Sequence, residues 1–424
     1  MTDVHQTILP NGLTILTKEV HSAPLATFWI WYRVGSRNEV PGLTGISHWV
    51  EHMLFKGTPT FGKGEIDRLV NKNGGVLNGF TWTDYTAYFA TLPSDRLELA
   101  LQIESDRMAN SAFDPREVDS ERTVIISERE GAENFPQFLL DEEVTAAAFK
   151  VHPYRHGVLG WKCDLQAITR DDLYNHYRTF YTPNNAVAVA VGDFDTAWLL
   201  EKVARYFAPV PAGPTVPAVR SVEPPQTGER RVTVQQPGGA SYFQAAFHVP
   251  DARHADFFPL FVLSGALDGI KSMSLFGRGS PGRSARLYRA LVETELATEV
   301  DCSFGVSKDP GLFTVTATVR AGSSLPAVEA AVLAELEKVA GEPLDSAELA
   351  TVLKQAKAQF VYAGDGVVNL AYWLGLLEMV TSHQDYDLFL ERLAAVTQDD
   401  VQRVAAQYLT STNRTVGWFV PTEP

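Results

Sequence analysis

Two stretches 228 residues apart carry one pattern, and that repeat constrains the chain more than any single motif does. The first is Thr169-Arg-Asp-Asp-Leu173, followed by Phe180, Asn185 and the run Ala186-Val-Ala-Val-Ala-Val191. The second is Thr397-Gln-Asp-Asp-Val401, followed by Tyr408, Asn413 and Thr415-Val-Gly-Trp-Phe-Val420. Each predicts a helix capped by threonine and then a strand. Repetition at this distance implies two diverged copies of one domain. Each half also opens on strand-like sequence. In the first this is Leu13-Thr-Ile-Leu-Thr17 and Ala26-Thr-Phe-Trp-Ile-Trp-Tyr32; in the second, Arg231-Val-Thr-Val-Gln235 and Tyr242-Phe-Gln-Ala-Ala-Phe-His248. Helical stretches follow, such as 93–108 and 325–339. Strands mixed with helices predict α+β domains, each a mainly antiparallel sheet with helices packed on one face. Between the copies, residues 208–228 hold Pro209, Pro211, Pro214, Pro217, Pro224 and Pro225, a density that no helix or central strand tolerates. The expected division is an N-terminal domain over 1–210, a linker over 211–229 and a C-terminal domain over 230–424.

Composition narrows the function classes. With 51 Asp and Glu against 36 Lys and Arg, the net charge of −15 excludes a general binder of nucleic acid. No apolar stretch reaches the ~20 residues that span a bilayer, so no membrane partner is expected. The two cysteines, Cys163 and Cys302, lie far apart, which argues against a thiolate metal site and suits a reducing compartment. The N-terminal residues show no basic-then-apolar leader pattern, and a cytoplasmic location is the expectation.

The chemistry is concentrated in Thr44-Gly-Ile-Ser-His48-Trp-Val-Glu51-His52-Met-Leu-Phe-Lys-Gly57. This reads as a helix with Thr44 as its N-cap and Gly57 as its stop. His48 and His52, four apart, share a face, where both imidazoles can reach one zinc at ~2.0–2.1 Å. Glu51 lies beside them, placed to act on water rather than to ligate. H-x-x-E-H is the inverse of the common H-E-x-x-H order and belongs to zinc peptidases. A catalytic zinc needs a third protein ligand, and Glu128 supplies it from a helical run in which Glu121 stands two turns earlier. Val124 and Ile125 share that side, so the face is expected to point inward, with Glu121 orienting a histidine or polarising the site. Glu130 and Glu133 read as solvated. His152-Pro-Tyr-Arg-His156 repeats the four-residue spacing, but Pro153 makes a regular helix there unfavourable, so a structural turn is expected.

The segment from His48 to Thr58, with Glu128 lying 76 residues beyond His52, resembles the pitrilysin/insulinase metallopeptidases, inverted zincins, and most nearly their processing-peptidase-like bacterial members. The resemblance covers nearly the whole chain. It implies one Zn2+ per chain held by His48, His52 and Glu128, with Glu51 as catalytic base and Glu121 supporting catalysis. It also picks out Gly74-Gly-Val-Leu-Asn78-Gly79-Phe80-Thr81 as an open strand that adds the backbone of a peptide substrate, with Asn78 bonding the peptide near the scissile bond. The family's Arg and Tyr pair, seven apart, is missing at its expected place, where Val292 and Thr298-Glu299 stand. Arg286, Tyr288 or Arg289 substitutes, or another subunit supplies the pair. In the second half, Phe258-Pro-Leu-Phe-Val-Leu-Ser-Gly265 occupies the motif's place and holds no ligand. The implied activity is zinc-dependent endopeptidase action on unfolded peptides, in a homodimer or in a heterodimer with a related subunit lacking the zinc motif. The alternatives are a non-catalytic assembly or core subunit and a peptide-binding partner.

Overall fold

The computed structural model describes residues 3–275 and 282–422. The chain forms two compact units, and neither is a continuous half. One comprises Met1–Glu130, His156–Arg220 and Asp365–Asp387; the other comprises Gly131–Arg155, Ser221–Gly364 and Leu388–Pro424. These units are discontinuous, unlike the expected division at 210 and 230.

The first unit holds six strands, β1 (His5–Ile8), β2 (Thr14–Glu19), β3 (Leu25–Tyr32), β4 (Val76–Thr81), β5 (Thr86–Pro93) and β6 (Ala186–Gly192), in the order β1-β2-β6-β3-β5-β4. The second holds β7 (Arg230–Pro237), β8 (Tyr242–Val249), β9 (Ala297–Phe304), β10 (Gly311–Val319) and β11 (Arg414–Thr422), in the order β7-β11-β8-β10-β9. Each sheet has one parallel pair, β2 with β6 and β7 with β11, and is otherwise antiparallel. The duplication extends to single hydrogen bonds. The Thr169 hydroxyl accepts from the Asp172 amide at 3.2 Å, and Thr397 does the same for Asp400. The Asn185 and Asn413 amides donate to the carbonyls of Phe180 and Tyr408, both at 2.8 Å. No regular element interrupts the proline-rich passage between helix Thr196–Phe207 and β7.

Period-two alternation sends β3 side chains to both faces of the first sheet. Phe28, Ile30 and Tyr32 join the main core with Leu97, Leu101 and Trp49. Trp29 and Trp31 point the other way, Trp29 stacking on Phe89 at 4.1 Å, and Tyr372 of helix Val367–Val380 lies 5.9 Å from Trp31. That helix approaches so closely that a Cβ on Gly375 would sit 2.1 Å from the Trp31 indole nitrogen. In the second unit, helix Pro136–Ala148 covers its sheet with Leu140 and Val144 against Ala246 and Phe419, and here the strand yields, with Gly417 facing Val144. The two covering helices correspond through the 228-residue repeat, yet each lies in the unit built mainly from the other copy. Helices therefore cover both faces of the first sheet, one face by exchange.

Candidate metal centre

Helix Ile46–Met53 is amphipathic by spacing: Ile46, Trp49, Val50 and Met53 enter the core, leaving His48, Glu51 and His52 together on another face. It begins one residue later than the sequence suggests. Gly45, in the left-handed region at φ 84°, is the cap residue, and the Thr44 hydroxyl instead donates to Asp164 at 2.7 Å. The helix's free amides are satisfied from outside, by the buried Glu39 carboxylate, which accepts from Gly45 at 2.8 Å and Ser47 at 2.9 Å. Burial pushes the Glu39 carboxyl up to about 8. The helix ends at Met53, before Gly57, and the intervening turn places Lys56 against Glu121.

Helix Pro115–Glu133 brings the distal carboxylates. Glu128 Oε2 lies 3.7 Å from His48 Nε2 and 3.6 Å from His52 Nε2. One ligand atom from each of these residues lies within 4.8 Å of the others, the spacing a shared cation requires, and among the described residues no other His, Cys, Asp or Glu group does this. The donor set fits zinc: two imidazoles and a carboxylate leave a coordination position open. Burial, reinforced by His52, pulls the His48 imidazole down to about 3, so it is neutral and able to ligate. Glu121, 4% exposed, accepts from His52 Nδ1 at 2.8 Å and pairs with Lys56 at 2.5 Å. Burial opposes its charge, but the bonds from His52 and Lys56 outweigh that and hold its carboxyl below the usual range. With Nδ1 so engaged, His52 presents Nε2 to Glu128, the arrangement that fixes a metal-binding tautomer. Glu121 thus holds the His52 ring through Nδ1. Glu121→Gln is expected to weaken zinc affinity about 10- to 100-fold, read by competition with a chromogenic chelator. Unchanged affinity would show that the carboxylate does not set the histidine.

Glu51 is 7% exposed, and its Oε2 accepts from the Thr81 hydroxyl at 2.8 Å. Burial raises its carboxyl above the usual range, with Thr81 and His52 opposing. Thr81 closes β4, the outermost strand, which among the described strands pairs only with β5. The backbone there is open on one side, as expected, but the side chains are assigned differently. Thr81 serves Glu51, and Phe80 turns to the opposite face, edge-on to Trp29 and Trp31. Gly79 is packed so tightly on Tyr88 that a Cβ would lie 2.8 Å from its ring, and its amide donates to the Asn78 side chain at 2.9 Å. Of the four, Asn78 alone is exposed.

Two expectations are corrected. Val124 is 41% exposed and does not share the inward face of Ile125, since it falls at the fringe of the helical stripe. Glu128 is half-exposed and not a buried carboxylate. Arg286 is held by both oxygens of Glu348 at 2.7 and 2.6 Å, so its guanidinium fork is already occupied, while Tyr288 lies half-buried in a π-helical turn. His152 and His156 flank the short helix Pro153–Arg155, with His152 3.1 Å from Asp309 and His156 3.7 Å from Glu39; they converge on no common ligand position. Sequence reasoning missed Glu39, whose partners are backbone amides and leave no side-chain pattern, and it missed the link from Thr81 to Glu51.

Comparison with known proteins agrees with this geometry. Residues 14–161 match the family described as Insulinase (Peptidase family M16), and residues 167–356 match the one described as Peptidase M16 inactive domain. An uncharacterized zinc protease of Streptomyces coelicolor is 31% identical, over 96% of this chain and 87% of its own length. The mitochondrial-processing peptidase subunit beta of Blastocladiella emersonii is 28% identical, over 95% of this chain and 85% of its own length. A solved protease from Helicobacter pylori superimposes with a TM-score of 0.94 at 26% identity, covering 99% of this chain and all of that one. The motif helix, the duplicated sheets and these full-length likenesses agree, and the chain belongs to the insulinase (M16) family of peptidases.

Proposed function

We propose that this chain is a zinc-dependent endopeptidase that hydrolyses extended peptides, with one Zn2+ held by His48 Nε2, His52 Nε2 and the Glu128 carboxylate. The convergence of those three groups beside a buried, oriented Glu51 carries the reading. Relatives named as zinc proteases support it. Zinc bound there would polarise the scissile carbonyl and lower the pKa of a nearby water towards ~7. Thr81 holds one Glu51 oxygen, leaving the other to accept the attacking water's proton and pass it to the departing amine. The open edge of β4 would take the substrate as an added strand, fixing its backbone while leaving its sequence free.

A non-catalytic subunit would be expected to lack ligands; here all three are present, and among the described residues only the second copy, with its apolar helix Phe257–Asp268, brings no such group together. Relatives named as subunits support a working dimer, either of two copies of this chain or with a related chain lacking the zinc motif. A cytoplasmic location belongs to the same proposal. The test is cleavage of one polypeptide in two states, a reduced, unfolded protein and its folded, disulfide-bonded form, across a dilution series. Cleavage confined to the unfolded form is expected, with specific activity falling on dilution. Rapid cutting of the rigid form would exclude strand addition, and activity independent of concentration would exclude a shared chamber.

A further inference from the structure

Strand β4 runs into a tight hairpin, and the bond that closes it fixes which way each backbone group of the strand points. The Trp82 amide donates to the Tyr85 carbonyl at 2.8 Å, so these two residues form a hydrogen-bonded pair. Such pairs alternate along an antiparallel ladder. Phe80 with Ala87 and Asn78 with Phe89 therefore bond across to β5, while the amides and carbonyls of Thr81, Gly79 and Leu77 point to the free edge. Thr81 agrees independently: its backbone amide, like its hydroxyl, bonds to Glu51 and favours the charged carboxylate.

The next amide along that edge, that of Gly79, is already taken. It donates to Asn78 Oδ1 at 2.9 Å, the side chain of its own neighbour. Asn78 is exposed and lies in mid-strand, a place that disfavours asparagine. Among the described residues its side chain makes no other hydrogen bond. A carboxamide oxygen is chemically the same acceptor as a peptide carbonyl. Bound to the Gly79 amide, it occupies the place that a carbonyl of an added strand must take. The bond is neutral and exposed, so its release shifts an equilibrium only a few-fold.

We propose that Asn78 guards the β4 edge: its side chain closes the Gly79 amide in the free protein, and a carbonyl of an incoming extended peptide displaces it. A strand that meets the edge only briefly finds its middle donor occupied, which blunts the edge against casual pairing. A peptide that pairs along the whole strand exchanges one carbonyl for another and gains the rest of the ladder. The displacement rests on β4 adding the substrate, as proposed above; the closed amide does not.

Hydrogen exchange at the Gly79 amide, followed by NMR on the full chain labelled with [15N]glycine, reads the guard without zinc or hydrolysis. Asn78→Ala removes the acceptor, and Asn78→Asp keeps one. Exchange is expected to quicken about two- to tenfold in Asn78→Ala, the fold-change of one net hydrogen bond, and to stay at or below the parent rate in Asn78→Asp. The same three proteins are titrated with acetyl-Thr-Val-Thr-Val-Thr-amide, with a chelator present so that the peptide stays whole. Asn78→Ala is expected to bind it about two- to tenfold more tightly than the parent. Unchanged exchange in Asn78→Ala would show that the side chain closes nothing and would end the proposal, whatever the peptide does. Faster exchange with equal or weaker peptide binding would show that Asn78 does not compete with the peptide, and would overturn it too. Faster exchange with no binding by any of the three proteins would sink strand addition at β4, and the guard with it.

Discussion

Replacing Glu51 with glutamine is expected to lower kcat for peptide cleavage about 10²- to 10⁴-fold, the usual contribution of a positioned proton acceptor. The zinc content should not change. Glutamine has nearly the same shape, and its carbonyl oxygen can still accept from Thr81, so the helix and its two histidines keep their places. What is lost is the basic oxygen. His48→Ala, His52→Ala and Glu128→Gln should behave in the opposite way, each removing metal and activity together, because each removes one of three converging ligand atoms. Metal analysis and steady-state kinetics on the same preparations separate the two classes. Should Glu51→Gln retain activity within a few-fold of the parent, another group takes the proton and the assignment fails. Should Glu128→Gln keep full metal, the third ligand has been wrongly chosen.

Arg107→Met is expected to destabilise the fold by about 3–5 kcal/mol, as breaking a buried ion pair does. Arg107 and Glu104 are 0% and 1% exposed and hydrogen-bond to each other one turn apart on helix Leu97–Asn110. The guanidinium lies over the rings of Tyr88 at 4.5 Å and Phe55 at 5.1 Å, while its Nε and Nη1 find no acceptor among the described residues. Burial already pushes the Glu104 carboxyl up, with Arg107 opposing. Without that opposing charge the carboxyl must be buried unpaired or take up a proton. Arg107→Met combined with Glu104→Leu should recover most of the loss, since well-packed apolar pairs often replace buried ion pairs at little cost. Urea denaturation of the parent and these variants is the measurement. A single-variant loss under about 1 kcal/mol would show that the pair is not the constraint its burial implies.

How legible was this in the sequence? The spacing within each helix was, because a helix makes spacing into geometry: four residues from His48 to His52 and seven from Glu121 to Glu128 are one and two turns of their own helices. The duplicated sheets were too, since the end of each copy carries the same helix cap, asparagine and strand at a constant offset. Contacts between distant segments were not. Nothing near Arg286 announces Glu348, and nothing near Glu51 announces the Thr81 hydroxyl. Phe80 and Thr81 share one expected role, although neighbours on a strand face opposite ways: one ring joins an aromatic cluster while the next hydroxyl donates to Glu51. Periodicity shows that helices Pro136–Ala148 and Val367–Val380 bury an apolar face. It does not say which sheet receives it.

That exchange of helices has a consequence for how the protein is made. When the ribosome has completed Arg220, all six strands of the first sheet exist, but Asp365–Asp387, which includes the helix over Trp29 and Trp31, has not been synthesised. At 5–20 residues per second the wait is roughly 10–30 s. Throughout it, the nascent chain presents a broad indole and phenyl surface beside an unpaired strand edge, the combination that invites aggregation. Hsp70-type holding factors are expected to associate with ribosomes carrying this message between codons 220 and 387, and to leave once the late helix emerges.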